Sequence, residues 1–432
     1  MTASSRIIPA IRSEFPRAET DGSGRRRVFF DAGAGSLVLR RVAEAEAKSR
    51  VDYSANIGAP SWESQMNEAT IQEGRKAVRD FINAESEDCI VSGESATHLI
   101  FHLSYALGKE LPKDSNVVVT EYDHDANVSP WLELERRGVI EEVRHVKFDP
   151  QTGMLDLEQL ASLADEKTKV VSVAGISNAL GTKTPLHEFR RVAREVGAYF
   201  VVDAVHMAAH MPIDVKEIGC DFLIFSAYKL FSRRGSFMYG RKQMLEDLSP
   251  YKVDMCPDRV PINWEWGTRD QSLFAAITAT IDYLTWLGEV TQSKFAEKVA
   301  GYPGRQKHLK AAMMWVEDYE ETLTRAMLSG FDNSPSILEI PGVDLYGPRD
   351  PSRARERAPT FTFNLKGRDP RKLAGYLWEK HAVAVLPDDF YSRALKTYGV
   401  SKAVRASLAH YNTVKEVRTF LLALDDAARS LT

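Results

Sequence analysis

Cysteine is scarce in this chain: three in 432 residues, at Cys89, Cys220 and Cys256. They stand far apart and form no CxxC pair. Neither a disulfide framework nor a thiolate metal site is expected, and no metal is. A reducing, cytoplasmic setting is the corresponding expectation. No apolar run approaches the roughly 18 residues a membrane helix needs. The opening stretch, MTASSRIIPAIRSEFPRAETDGSGRRRVFF, has no apolar core followed by a small-residue cleavage site, so it does not read as a secretory signal. Charge is close to balanced, 56 Lys and Arg against 60 Asp and Glu. That gives no reason to expect nucleic acid or an anionic membrane as a partner. Internal repeats and low-complexity tracts are absent too.

What is present is an ordinary globular composition, 44% hydrophobic and 27% charged, long enough for two domains. Residues 1–28 are polar and read as an arm or loop. Residues 29–290 read as a large domain, and from about residue 70 it alternates helical patterns with short β-branched runs: DCIVSG, SNVVVTEY, EEVRHVKF, KVVSVAGIS, AYFVVDAV, CDFLIFSA and SFMYGR. This alternation predicts βαβ units and a mostly parallel sheet covered by helices, an α/β class. Residues 272–328 read as long helix, SLFAAITATIDYLTWLGEV and then KHLKAAMMWVEDYEETLTRAML. Residues 291–432 as a whole predict a smaller α+β domain. Ligands on such sheets collect at the carboxyl ends of the strands.

Two residues stand at such ends. Asp203 closes the run YFVVD, and Lys229 follows FLIF in FSAYKLF. Either has an ordinary explanation, a turn acid or a surface amine. Together at neighbouring strand ends they suit pyridoxal phosphate (PLP), the lysine making a Schiff base and the acid pairing with the pyridine nitrogen. A lysine placed there is partly desolvated and so a better nucleophile. SGESATHLIF places Ser95 and Ala96 at a helix start; an N-cap would explain Ser95 by itself, and free N–H groups there also suit a phosphate. Ser226 offers a further phosphate contact. His124 follows one strand and is placed to lie flat on a cofactor ring. Asn178, in GISNALGT, is placed for the ring hydroxyl, and His206 for the other side. A dinucleotide-binding turn is the competing nucleotide reading. Its nearest candidate, DAGAGSLV at 31–38, precedes the alternation and lacks the GxGxxG spacing.

The ordered set SGESAT, EYDHDANVSPW, ISNALGT, VVDAVH, SAYK, WEWGTRDQ and AVRASLAHYNT resembles the class V aminotransferase-fold PLP enzymes, in the branch of the cysteine desulfurases. The resemblance spans nearly the whole chain. It implies the PLP-dependent transferase fold of type I, with a seven-stranded sheet in the large domain. It implies Lys229 as the Schiff-base lysine, Asp203 as the pyridine-nitrogen partner and His124 as the stacking histidine. Asn178 is then the residue at the ring hydroxyl, and His206 stands where desulfurases usually carry glutamine. Ser95, Ala96 and Ser226 form the phosphate cup. Thr268 in WGT reaches the phosphate of a partner subunit, which implies a homodimer. Arg405 clamps a substrate carboxylate, for which a planar fork is suited.

The chain also departs from that pattern. The segment between VAVLP and VRASL, where a desulfurase carries its persulfide cysteine, reads DDFYSRALKTYGVSKA. It contains no cysteine, and Tyr391 is expected to line the substrate pocket instead. Arg233 and Arg234 follow the lysine; beside the cofactor they would favour a substrate with a second acidic group. The expected activity is that of a PLP-dependent lyase or transferase on a small amino acid, with C–S cleavage, other β-elimination or decarboxylation foremost. An aminotransferase, an epimerase, a carbon–carbon bond-forming enzyme, and a non-catalytic partner in sulfur delivery or regulation are the alternatives.

Overall fold

The computed structural model describes residues 3–431. Its centre is a seven-stranded sheet. In chain order the strands are β1 (Ile90–Gly93), β2 (Asn116–Thr120), β3 (Glu142–Val146), β4 (Thr168–Ala174), β5 (Tyr199–Asp203), β6 (Phe222–Ser226) and β7 (Ser236–Gly240). They lie side by side as β1-β7-β6-β5-β4-β2-β3. Only β7 runs antiparallel, to both β1 and β6. All seven β-branched runs named above are in this sheet.

Helices cover both faces, which is why the strands are continuous apolar runs rather than alternating ones. In β5, Val201 joins the cluster that includes Leu99, Ile100 and Trp131. Its neighbours Phe200 and Val202 point the other way, into the larger cluster with Phe274, Leu284 and Leu323. Each fully buried side chain of this kind contributes about 1.5–3 kcal/mol of apolar transfer.

A second, four-stranded antiparallel sheet is made by β8 (Val343–Tyr346), β9 (Thr360–Leu365), β10 (Leu386–Asp388) and β11 (Ala403–Ser407), in the order β10-β11-β9-β8. Register sets which residues share a face. Arg405 pairs with Thr362 on one side and Leu386 on the other, so these three point the same way. Ser407 and Asp388, two residues along in their strands, share that face.

One sequence reading changes. The N-terminal stretch is not a loop: Ala3–Glu14 is a helix, and Ile11 and Phe15 are fully buried. The pattern Ile8, Ile11, Phe15 is a short apolar helical stripe, easily lost among polar neighbours. The two helical stretches read from 272–328 are the helices Gln271–Thr291 and Gly304–Ser329, with a turn that contains Pro303 between them. Among the described residues no helix is long and apolar enough to cross a membrane.

Candidate active site

The carboxyl edge of the sheet gathers the chemistry. Asp203 is the last residue of β5 and Ser226 the last of β6. Lys229 follows in a single 3-10 turn, Ala227–Lys229, too short to carry it away from the edge. His124 comes four residues after β2 and Asn178 four after β4. A small cavity is lined by Ser95, Ala96, Thr97, His124, Asn178, Asp203, His206, Ser226 and Lys229. It adjoins a larger one of about 700 Å³ that shares Thr97, His124, Asn178 and Lys229 and adds Arg405, Tyr391, Phe390, Asp388 and Gly33.

Burial decides the electrostatics. Lys229 is 8% exposed, and its amine falls from 10.5 to about 8. Desolvation is the main cause and the charge of Arg405 adds to it, while Asp203 and Asp31 pull the other way. Burial raises the Asp203 carboxyl; the Val205 N–H, donating to Oδ1 at 2.9 Å, and Lys229 oppose this. His124 is brought to about 3 by burial, then by Lys229 and Arg405, so its ring stays neutral. Its Nδ1 accepts from the Ala126 N–H at 3.0 Å as it caps the helix Asp125–Arg136, which leaves the ring proton on Nε2.

Arg405 is 2% exposed. Its Nη1 donates to the Asn178 carbonyl at 2.9 Å and its guanidinium lies 4.6 Å from the Phe390 ring centre. Burial brings it to about 10, still cationic near neutrality, and its Nε has no partner among the described residues. Asn178 holds the loop in turn: its Nδ2 donates to the Phe390 carbonyl at 2.9 Å, while its Oδ1 has no partner. Phe390 and Tyr391 both have positive φ, 58° and 49°. Their carbonyls are held, Phe390 by Asn178 and Tyr391 by the Asp125 N–H at 2.7 Å. The Tyr391 ring is 66% exposed at the rim, 5.7 Å from the His124 ring.

Some expected residues are engaged differently. Ser95 Oγ caps its helix by accepting from the His98 N–H at 3.1 Å, and Ser226 Oγ is 2.9 Å from Ser236 Oγ. Thr268 does not join the Lys229 cavity within this chain. It is exposed on a separate cleft with Arg75, Glu265 and Arg269. Arg233 does not face the cavity: it is tied to Asp270 at 2.5 Å, to Glu46 at 3.6 Å and to Ser272. The second acidic group foreseen for a substrate has no support from it. No cysteine lines either cavity. Cys89 and Cys220 are buried in the core, and the Cys256 thiol lies 3.6 Å from the Ile262 carbonyl.

Two carboxylates were missed. Asp31 is raised to about 6 by burial, against the pull of Arg405 and Lys229, and its Oδ1 has no partner. The signal was an acid heading the small-residue turn DAGAGS, weighed only as a nucleotide loop. Asp123 is fully buried and accepts from the N–H groups of Thr120 at 2.9 Å and Ala174 at 2.7 Å. It ties the loop that carries His124 to the end of β4, and nothing in EYDHD separates it from its neighbours.

The residues present fit a PLP group. Asn178 Oδ1, on both adjoining cavities, and Arg405 Nε, on the larger, are buried polar atoms without protein partners among the described residues, and Asp203, whose Oδ1 accepts from the Val205 N–H, lines the smaller. The amine of Lys229 and the start of the helix Ala96–Gly108 border the same space. Fold and site together define a PLP-dependent enzyme. The model of the aminotransferase class-V family matches residues 28–302 and 307–420, and the chain belongs to that family. It is 28% identical to a cysteine desulfurase of Salmonella agona over 98% of this chain and 99% of that one. A cysteine desulfurase of Salmonella newport is 29% identical over the same shares. Among solved structures, the apo cysteine desulfurase of Thermococcus onnurineus has a TM-score of 0.80 at 26% identity, over 93% of this chain and 95% of that one. An Escherichia coli cysteine desulfurase with an S-sulfonic acid has a TM-score of 0.79 at 21% identity, over 98% of both chains, and bears on the fold alone.

Proposed function

We propose that this protein is a PLP-dependent lyase for a small amino acid, cleaving a C–S bond or another bond at or next to the α-carbon without a persulfide cysteine. The observation that carries this reading is the composition of the cavity. Lys229 borders both of its adjoining parts, Asp203 the smaller and Arg405 the larger, and no cysteine borders either among the described residues.

In this reading Lys229 would hold the cofactor through its amine and Asp203 would pair with its ring nitrogen. His124, Asn178 and His206, which line the same cavity, would hold the ring. Ser226 and the backbone at Ser95 and Ala96 receive the phosphate. When bound, PLP supplies an electron sink for a carbanion at the substrate α-carbon. Arg405 holds the substrate carboxylate, its Nη1 already fixed by Asn178 and its Nε unengaged. The lowered proton affinity of Lys229 suits Nζ to take a proton from the α-carbon near neutral pH and return it. Phe390 and Tyr391 close the rim and limit water. The chain acts as a homodimer, with Thr268 on the separate cleft completing the partner's site.

The test mixes purified, PLP-loaded protein with cysteine, cysteine sulfoxides, aspartate and cysteate, reading the cofactor spectrum and the products. The expected outcome is a spectral change with one of them and release of a β-substituent or of carbon dioxide. Alanine plus elemental sulfur from cysteine would overturn the exclusion of desulfurase chemistry. A Lys229→Ala protein that still bound PLP covalently would overturn the site.

A further inference from the structure

Behind the cavity wall lies a pair of titratable side chains, His210 and Glu320, that the reaction proposed above does not use. His206 lines the cavity beside Asp203 and Lys229. Its ring centre is 4.7 Å from that of His210. His210 Nδ1 meets Glu320 Oε2 at 2.8 Å, and Glu320 comes from the helix Gly304–Ser329. The three are 4%, 3% and 2% exposed. The other oxygen of Glu320 has no partner among the described residues.

An ionised carboxylate in such a place costs several kcal/mol unless a cation is hydrogen-bonded to it. The 2.8 Å contact to an imidazole is the geometry of a charge-assisted bond. Burial pushes the Glu320 carboxyl up, and His210 pulls it back. His206 differs: it has no carboxylate, and its Nε2 pairs with Thr360 Oγ1 at 2.9 Å. Burial holds it neutral, reinforced by His210, Lys229 and Arg405.

We infer that His210 and Glu320 form a buried imidazolium–carboxylate pair with its positive end behind His206, acting through His206 to bias groups in the cofactor cavity towards their deprotonated forms. Both are positioning residues, since neither lines the cavity. The inference rests on the cofactor reading above. The other groups around the pair leave its orientation in control. His410, 2.7 Å from Tyr283 Oη, faces His210 and is held neutral by burial. Tyr319 and Tyr411 face Glu320 as neutral phenols, raised by burial. Towards the surface, Lys183 and Glu317 close on each other at 2.6 Å and add no net charge.

The test uses Glu320→Gln, which keeps the shape but cannot be an anion, and the apolar pair His210→Phe with Glu320→Leu. Apolar replacement of a buried ion pair is often tolerated, so the second protein guards against a folding failure of the first. In apoprotein at neutral pH, ring nitrogen NMR is expected to show a buried histidine protonated on both nitrogens, and this signal is lost in Glu320→Gln. In PLP-loaded protein, the pH midpoint of the visible band is expected to rise by about one unit in either variant, as a nearby positive charge is removed. Wild-type midpoints in both variants, or no doubly protonated buried histidine, overturn the inference. A protein that gains no visible band with PLP instead overturns the cofactor reading, and the NMR result still judges the pair.

Discussion

Arg405 Nη1 donates to the backbone carbonyl of Asn178 at 2.9 Å, joining a strand of the small sheet to a turn of the large one across the cavity. The bond aims the guanidinium without using the whole fork. Arg405→Lys keeps the charge and loses the planar geometry. It is expected to raise KM for the amino acid by about 30-fold or more, the scale of a charge-assisted hydrogen bond. Steady-state kinetics check this, and the visible band of the cofactor should be unchanged.

Gly33 sits against the same arginine. A Cβ there would lie 2.8 Å from Ser407 Oγ and 3.1 Å from Arg405 Cζ. The Gly33 N–H also donates to Ser407 Oγ at 2.7 Å, so the serine is not free to retreat. Gly33→Ala is expected to displace Arg405 and raise KM on the order of tenfold, or ~1.4 kcal/mol. PLP titration, expected to be near wild type, separates this from general unfolding.

Lys229 destabilises the apoprotein in return for its reactivity. Its folded-state value, about 8, lies below the 10.5 of the unfolded chain. Between those values the unfolded chain binds one more proton, so stability rises with pH across that window. The cost, ~3 kcal/mol, is fully present below about pH 8. Lys229→Met is expected to make the apoprotein more stable by about that amount at neutral pH, and to abolish the rise. Denaturant unfolding at the two ends of the window measures both.

Asp203→Asn removes the charge proposed to face the cofactor's ring nitrogen. Turnover is expected to fall by about 100-fold or more, the scale of losing one preorganised electrostatic partner. The visible band should remain, because Lys229 is untouched.

Cys256→Ala tests the absence of persulfide chemistry. The thiol lies outside both cavities. Turnover should stay within about twofold of wild type, as for most substitutions away from a site. Loss of activity measured with the same substrate would overturn the proposed mechanism.

From the chain alone one reads the fold class, the strands and the Asp203–Lys229 pair. These are local: apolar runs bounded by turns, with a functional residue a few positions past each run. The helix at Ala3–Glu14 escaped because its buried stripe is too short to stand out from polar neighbours. Asp31, the capture of Arg233 by Asp270 and Glu46, and the His210–Glu320 pair were hidden for another reason. Each depends on residues far apart in sequence brought within a few ångströms. Whether Asp31 or Arg233 meets the cavity is decided by packing, and burial then sets the proton affinities. The sequence determined which side chains stand at the sheet edge; only tertiary structure decided which of them share one desolvated space, where charge is costly enough to be selective.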